Sequence, residues 1–545
     1  MTESAASFQP LTWLARQWRE GRSPALWLLG VMTGAISAYA AIAFILSLHG
    51  ISLLMFGANH DALVSGAANI PFWQVLLVPT AGGLLVAGLL WLGQTRNWLP
   101  RGQASAVADV MEARAARQGR IELPNGLLSA SIAAISLGTG GSAGREGPVV
   151  HLGAAIASFI ARRLGLPARS ARILLACGAA AAVAASFNAP VAGALFAFEI
   201  VLGHYALRSI APVAIASVTG ALISRLHLGA SPAFAMPALS PASIWDLPGV
   251  IGLGLAAAVL ASAFILTSIH LPRLIAQQSE RIGWPLWALP PIGGLCIGAL
   301  ALIAPEILGV GYEATAAALG GSYGILTLLM LVVLKLLAVG ITLGFRFGGG
   351  VFSPSLYLGA MLGAAFGGLL AMTGAETAGI PFYAVVGMGA VAGAALGAPL
   401  STTLIVFELT ASYEASVAVL IAVSLATVLS QSLAGGSIFH LQILRRGFDL
   451  SRGQARVLLQ TIRVRDIMTP MQEKEAGADS DSEAACLYED DYLGRAIGFL
   501  SAEAIDGTIV RSRSGDQVVV GYLSRVDAHA AYAKALADAH EEEHR

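Results

Sequence analysis

The sequence predicts an all-α, polytopic membrane protein with a small α/β tail, on three observations. Of its 545 residues 56% are hydrophobic and only 12% charged, with a mean hydropathy of +0.72, whereas soluble domains carry about 25% charged residues. The apolar segments are uneven in length and repeatedly broken by Gly or Pro, the pattern of discontinuous transporter helices. The chain also repeats itself: Gly178, Ala181, Ala189, Pro190, Phe198 and Glu199 recur 209 positions later as Gly387, Ala390, Ala398, Pro399, Phe407 and Glu408. Ala and Gly could match by chance in such a composition, but matched Pro and Glu at one offset argue for two related halves. Their relative orientation does not follow from the pattern.

Residues 1–24 read as a cytoplasmic N-terminal segment. Arg16, Arg19 and Arg22 precede the first apolar stretch, near Ala25–Leu48, and basic residues favour the cytoplasmic side. That stretch is too long for a signal peptide and lacks a clear cleavage site. Arg96, Arg101, Arg114, Arg117 and Arg120 mark a second cytoplasmic stretch, and Arg445, Arg446 and Arg452 mark the exit from the last span. Both termini are therefore expected in the cytoplasm and the spans in the cytoplasmic (inner) membrane. A transmembrane domain over residues 25–447, with repeats at about 25–230 and 245–447, then gives way to a polar tail over residues 448–545. The three cysteines, Cys177, Cys296 and Cys486, are far apart and suggest neither disulfide nor metal site. The net charge of -1 identifies no partner, and nothing points to nucleic acid.

The chemistry concentrates in two glycine-rich turns. In Gly144-Arg145-Glu146-Gly147-Pro148 a carboxylate lies within an apolar run that, from Glu122 to Arg162, has no other charge except Arg145. An ionisable group at bilayer depth costs roughly 2.5–3.5 kcal/mol on insertion scales, so it faces a partner or a water-filled path. Pro148 suits the first turn of a helix, and a helix N-terminus with free N–H groups binds anions. Glu146 thus reads as a side chain competing with a solution anion. The second turn, Gly348-Gly349-Gly350-Val351-Phe352-Ser353-Pro354, repeats the design; a tight helix-packing turn would need the same glycines. The spans show no nucleophile–base pair or metal cluster, which argues against a membrane-embedded hydrolase. A cation channel would want rings of carboxylates or filter carbonyls.

Gly144–Pro148, Gly349–Pro354, Asn188-Ala189-Pro190 and Gly387–Glu408 resemble the CLC family of chloride channels and chloride/proton antiporters, over roughly residues 25–447. The resemblance implies a homodimer with one anion pathway per subunit, each built from two inverted repeats with broken helices. It implies that Glu146 is the gate and proton acceptor, that the Val351 and Phe352 amides hold the central anion, and that Arg145 and Gly147 belong to the anion site. Ser105 falls where a serine hydroxyl contacts chloride, which favours chloride over nitrate. Alanines around it replace two glycines and a proline of the family pattern, so this turn is expected to be tighter or partly helical. Phe439 stands where the family has a pore tyrosine, keeping the aromatic wall but losing a hydroxyl donor; His440 is a candidate to compensate. The Ser105 region and the Glu146 motif resemble the chloride-type branch more closely than fluoride exporters.

The departure of most consequence is Glu199-Ile200. Antiporters of the family carry two adjacent glutamates here, the second receiving cytoplasmic protons, and isoleucine carries none. The expected function is gated chloride conduction; the alternative is chloride/proton antiport by another proton route. Glu199 and its repeat partner Glu408 suggest a shared structural role such as capping or pairing. Lys335 reads as a structural or snorkelling charge, and Arg346 as a vestibule charge attracting anions. In the tail, Val464–Pro470 resembles the opening of a CBS module, and Val518–Leu523 reads as a buried strand before an Asp527–Ala537 helix. With one such unit visible, a stability or dimerisation element is favoured over a nucleotide site. No cofactor is expected; chloride is the substrate.

Overall fold

Apolar runs punctuated by Gly and Pro become helices that start and stop at those residues. The computed structural model describes residues 23–99, 103–229, 236, 239–374, 376–449, 454–471, 486–513 and 518–544. Residues 1–22, with Arg16, Arg19 and Arg22, and also Arg101 and Arg452, lie outside the described residues. Two compact units emerge, one running to Arg114 and from Gln118 to Gln442, the other comprising Ala115–Arg117 and the chain from Ile443.

The first half of the larger unit contains α1 (Ser23–Phe56), α2 (Leu63–Ala68), α3 (Phe72–Thr95), α4 (Val107–Ala116) and α5 (Leu123–Gly138). It continues through α6 (Glu146–Arg163), α7 (Ala168–Phe187), α8 (Pro190–Phe196, prolonged by a π-turn at Ala197–Leu202) and α9 (Leu207–Leu228). The second half runs through α10 (Leu247–Ile282), α11 (Pro290–Ala301), α12 (Tyr312–Leu319), α13 (Ile325–Gly344) and α14 (Phe352–Met372). It ends with α15 (Gly379–Leu396), α16 (Pro399–Thr410), α17 (Tyr413–Ala434) and α18 (Ile438–Leu444). Among the described residues, nine helices are long and apolar enough to cross a bilayer, and five apolar helices are too short to cross alone.

The sequence repeat is a structural repeat. α7 ends on Asn188 at φ 58° and α15 on Gly397 at φ 73°, the same left-handed cap at equivalent positions. Close backbone approach recurs as well. A Cβ on Gly178 would strike the carbonyl oxygen of Gly153, and one on Gly387 would strike that of Gly359. Small residues at such crossings let helices in a membrane touch backbone to backbone.

Glu199 and Glu408 have the predicted shared role. Glu408 accepts hydrogen bonds from the Val191 and Ala192 N–H groups at 3.0 and 2.8 Å, in the first turn of α8. Glu199 accepts from Leu400 and Ser401 N–H at 3.0 and 2.8 Å, in the first turn of α16. Each carboxylate thus caps the other half's helix, satisfying N–H groups that lack an intrahelical acceptor. This exchange, together with the antiparallel bridge between Gly144 and Gly350, relates the halves as inverted repeats. Glu408→Ala should lower stability by about 1–2 kcal/mol, the size of a lost N-terminal cap, read as a reduced thermal midpoint in detergent; an unchanged midpoint would reject the capping role.

The smaller unit carries α19 (Gln454–Thr461), α20 (Leu493–Ala502), α21 (Arg525–His544) and a four-stranded sheet. Its strands are β1 (Thr469–Pro470), β2 (Leu487–Tyr488), β3 (Gly507–Arg511) and β4 (Val519–Ser524), in the order β1-β4-β3-β2. β4 pairs antiparallel with β1 and β3, while β2 joins β3 in parallel. Alternate residues of β4 are buried, and Val464, Leu487, Leu493, Leu500, Val510 and Leu523 form the core. One small α/β unit results, with its strand and final helix at the expected places.

Candidate functional site

The two glycine-rich turns meet. Gly144 N–H donates to Gly350 O at 2.7 Å, and Gly350 N–H returns the bond to Gly144 O at 2.6 Å. A Cβ on Gly350 would lie 2.9 Å from Gly147 N, so side chains are excluded where the turns touch. The N-termini of α6 and α14 are brought together this way. Each carries roughly half a positive charge and free N–H groups, so the junction favours an anion.

A cavity of about 40 Å³ lies there, walled by Glu146, Gly147, Val351, Phe352, Phe439 and Gln442 among others. Space for one water is roughly 10–15 Å³ on the same measure, so a few small particles fit. Organic ligands need roughly 300–1,000 Å³. The ring of Phe352 packs against Phe187 and Phe196 with centroids 5.1 and 6.1 Å away, which fixes the start of α14.

Glu146 is 2% exposed. Its Oε1 accepts a 2.5 Å hydrogen bond from Ser353 Oγ and a long one, 3.4 Å, from Tyr312 Oη. Arg145 Nε lies 3.9 Å from the same oxygen. Oε2 is buried and meets no hydrogen-bond partner among the described residues. A half-satisfied buried carboxylate is unusual, since buried polar groups normally find partners.

The other expected residues fall at varying distances from the cavity. Arg145 is buried but off its wall: the guanidinium donates to Ser186 O at 3.2 Å and lies 4.7 Å from the Tyr312 ring centroid. Ser105 is 8% exposed and sits one residue before the wall, which begins at Ala106 and Val107. Of the two expectations for this turn, tighter or partly helical, the helical one is not met: residues 104–106 precede α4. Their N–H groups are taken sideways, Ser105 N by Ser129 Oγ at 2.9 Å and Ala106 N by Asp109 Oδ2 at 3.0 Å. His440 is not on the wall. Lys335 is 0% exposed and cannot snorkel; its Nζ donates to Ile307 O and Gly309 O, both at 2.9 Å, and lies 4.8 Å from the Tyr357 ring centroid. Arg346 is half-buried, in a left-handed backbone conformation at φ 60°.

Three site residues escaped the sequence reading. Ser353 lies inside the second glycine turn, where a hydroxyl beside a helix start was a legible signal. Gln442 stands three residues after Phe439 in a helix, hence on the same face. Tyr312 reaches Glu146 across 166 positions, and no local pattern announces it.

Taken together, the inverted halves and the anion-favouring junction of two helix starts around a lone carboxylate define a polytopic membrane protein of the anion-pathway class. Comparison with known proteins agrees. The family model for voltage gated chloride channels matches residues 82–431. A "Putative chloride channel protein ClcB-like" of Ralstonia nicotianae is 35% identical over 426 residues, covering 77% of this chain and 97% of the relative. An Escherichia coli "Voltage-gated ClC-type chloride channel ClcB" is 32% identical over 419 residues, covering 76% and 97%. Among solved structures, a slow cyanobacterial Cl⁻/H⁺ antiporter superposes with a TM-score of 0.67 at 22% identity, covering 77% of this chain and 97% of that one. A CLC-type fluoride/proton antiporter gives 0.62 at 23%, covering 77% and 98%. This chain belongs to the CLC family.

Proposed function

We propose that the protein is a passive, acid-activated chloride channel of the cytoplasmic membrane, working as a homodimer with one pathway per subunit and with both termini in the cytoplasm. The observation that carries this reading is Glu146, a buried carboxylate with one unpartnered oxygen on the wall of a small cavity between two helix starts. Chloride is held by the backbone amides of Val351 and Phe352, with Gly147 and Phe439 closing the site and the Ser105 hydroxyl serving its approach. Arg145, buried beside Glu146, adds positive charge without being a ligand. The charged carboxylate occupies the anion's place. Protonation removes its charge and its claim on the site, so flux rises as pH falls.

Passive conduction is favoured by what stands at the inner proton position. Ile200 is 5% exposed and aliphatic, while both oxygens of neighbouring Glu199 are engaged in capping α16. Among the described residues, Glu146 is the single titratable side chain on the cavity wall. Chloride/proton exchange would need water or a distant group to carry protons to it. Proteoliposomes with an imposed chloride gradient decide between the two. Chloride should move downhill without driving protons; uphill proton movement that reverses with the gradient would establish exchange instead. The tail is read as a stability or dimerisation element with no bound nucleotide.

A further inference from the structure

We propose that Gln442 is a chloride ligand and supplies the side-chain hydrogen-bond donor of the cavity. The inference rests on the reading of that cavity as the chloride site. Among the described residues, the wall contains two side chains with polar groups, Glu146 and Gln442; the rest is backbone, aliphatic and aromatic. Glu146 in its charged form only accepts hydrogen bonds, so it repels an anion. Gln442 carries two N–H donors on a neutral group. Its placement suits a ligand, because α18 presents Phe439 and Gln442 one turn apart on the same wall. Phe439 closes the site with a ring that has no donor. Gln442 is half-buried, and among the described residues no hydrogen bond engages its amide. Ser105, Ser353 and Tyr312, the nearby hydroxyls, stand off the wall, and the last two are turned to Glu146 or close by it. His440, next in the chain to Phe439, does not reach the wall.

The geometry gives the residue a second consequence. The backbone donors at Val351 and Phe352 are fixed by α14, whereas the Gln442 amide turns on a flexible stem. It can follow an anion along the cavity and release it, which a conducting site requires: binding must be strong enough to admit the ion and weak enough to let it leave.

The test uses the full-length protein in the Glu146→Gln background, where the gate's own pH response is absent. Chloride is titrated calorimetrically into Glu146→Gln alone and into the doubles with Gln442→Met and Gln442→Glu. Met keeps the length of the side chain and lacks the donor, so binding should weaken about tenfold at every pH, the effect of losing a hydrogen bond to a charged acceptor. Glu keeps the size and makes the donor conditional on a proton. Its binding should be weaker than that of the Met variant at neutral pH and stronger in acid. A merely structural residue would not produce that crossover. Equal affinities in all three proteins, or weakening without the crossover, would overturn the role of Gln442 and leave the gate standing. No chloride binding by Glu146→Gln itself would overturn the chloride site, and this inference with it.

Discussion

Glu146→Gln should give chloride flux that no longer responds to pH and that, at neutral pH, equals the flux of the wild type in acid. The substitution preserves the shape of the side chain and its Oε1 acceptor, so the hydrogen bonds from Ser353 at 2.5 Å and Tyr312 at 3.4 Å can persist. What disappears is the charge. Two like charges 4 Å apart repel by about 4 kcal/mol at an effective dielectric constant of 20, equivalent to about a thousandfold in anion occupancy. Because the amide oxygen keeps both hydrogen bonds, the removed charge sets the size of the effect. Flux at neutral pH should rise at least about tenfold, allowing for steps other than anion entry. The measurement is chloride efflux from proteoliposomes across a pH series, wild type against variant. A pH dependence that survives the substitution would move the gate elsewhere in the protein.

Much of this site could be read in the sequence because its parts are local. The Gly144–Pro148 and Gly348–Pro354 turns announce two helix starts, and a lone carboxylate in an apolar run announces itself. The 209-residue offset announced the repeat, and with it the common fate of Glu199 and Glu408. What that offset could not show was the partner. Each glutamate caps a helix more than 200 positions away, a relation set by how the halves interlock and not by any period along the chain. Lys335, read as a structural or snorkelling charge, takes the structural role: α13 buries it completely, and Ile307 and Gly309 offer carbonyls in place of water, partners that no local pattern names. At Ser105 the expected turn is either tighter or partly helical; residues 104–106 are not helical, and the Asp109 carboxylate accepts from Ala106 N–H as a cap on the start of α4.

The inverted repeat makes a demand on packing that a single substitution should expose. Gly387→Val is expected to abolish recovery of folded protein, with Gly178→Val doing the same in the other half. Gly387 lies in α15 where that helix crosses α14, and a Cβ there would meet the Gly359 carbonyl and, at 2.8 Å, Gly363 Cα. These are backbone atoms of a rigid helix, α14, so relief requires α14 and α15 to part. Overpacking a well-packed core typically costs 1–3 kcal/mol when side chains can adjust; here none of the obstructing atoms is free to turn, and the effect should lie above that range. Separation would also carry the start of α14 away from α6, taking Val351 and Phe352 out of register with Glu146. Gly50 is the matched control, since nothing lies within 4 Å of a Cβ at that position in α1. Gly50→Ala should be neutral or stabilising by up to about 1 kcal/mol, the helix-propensity difference. The assay is the yield of monodisperse protein after detergent extraction, followed by flux on whatever is recovered. A Gly387→Val protein that folds and conducts normally would show that α14 and α15 do not cross as described, and the geometry assigned to the anion site would fall with that crossing.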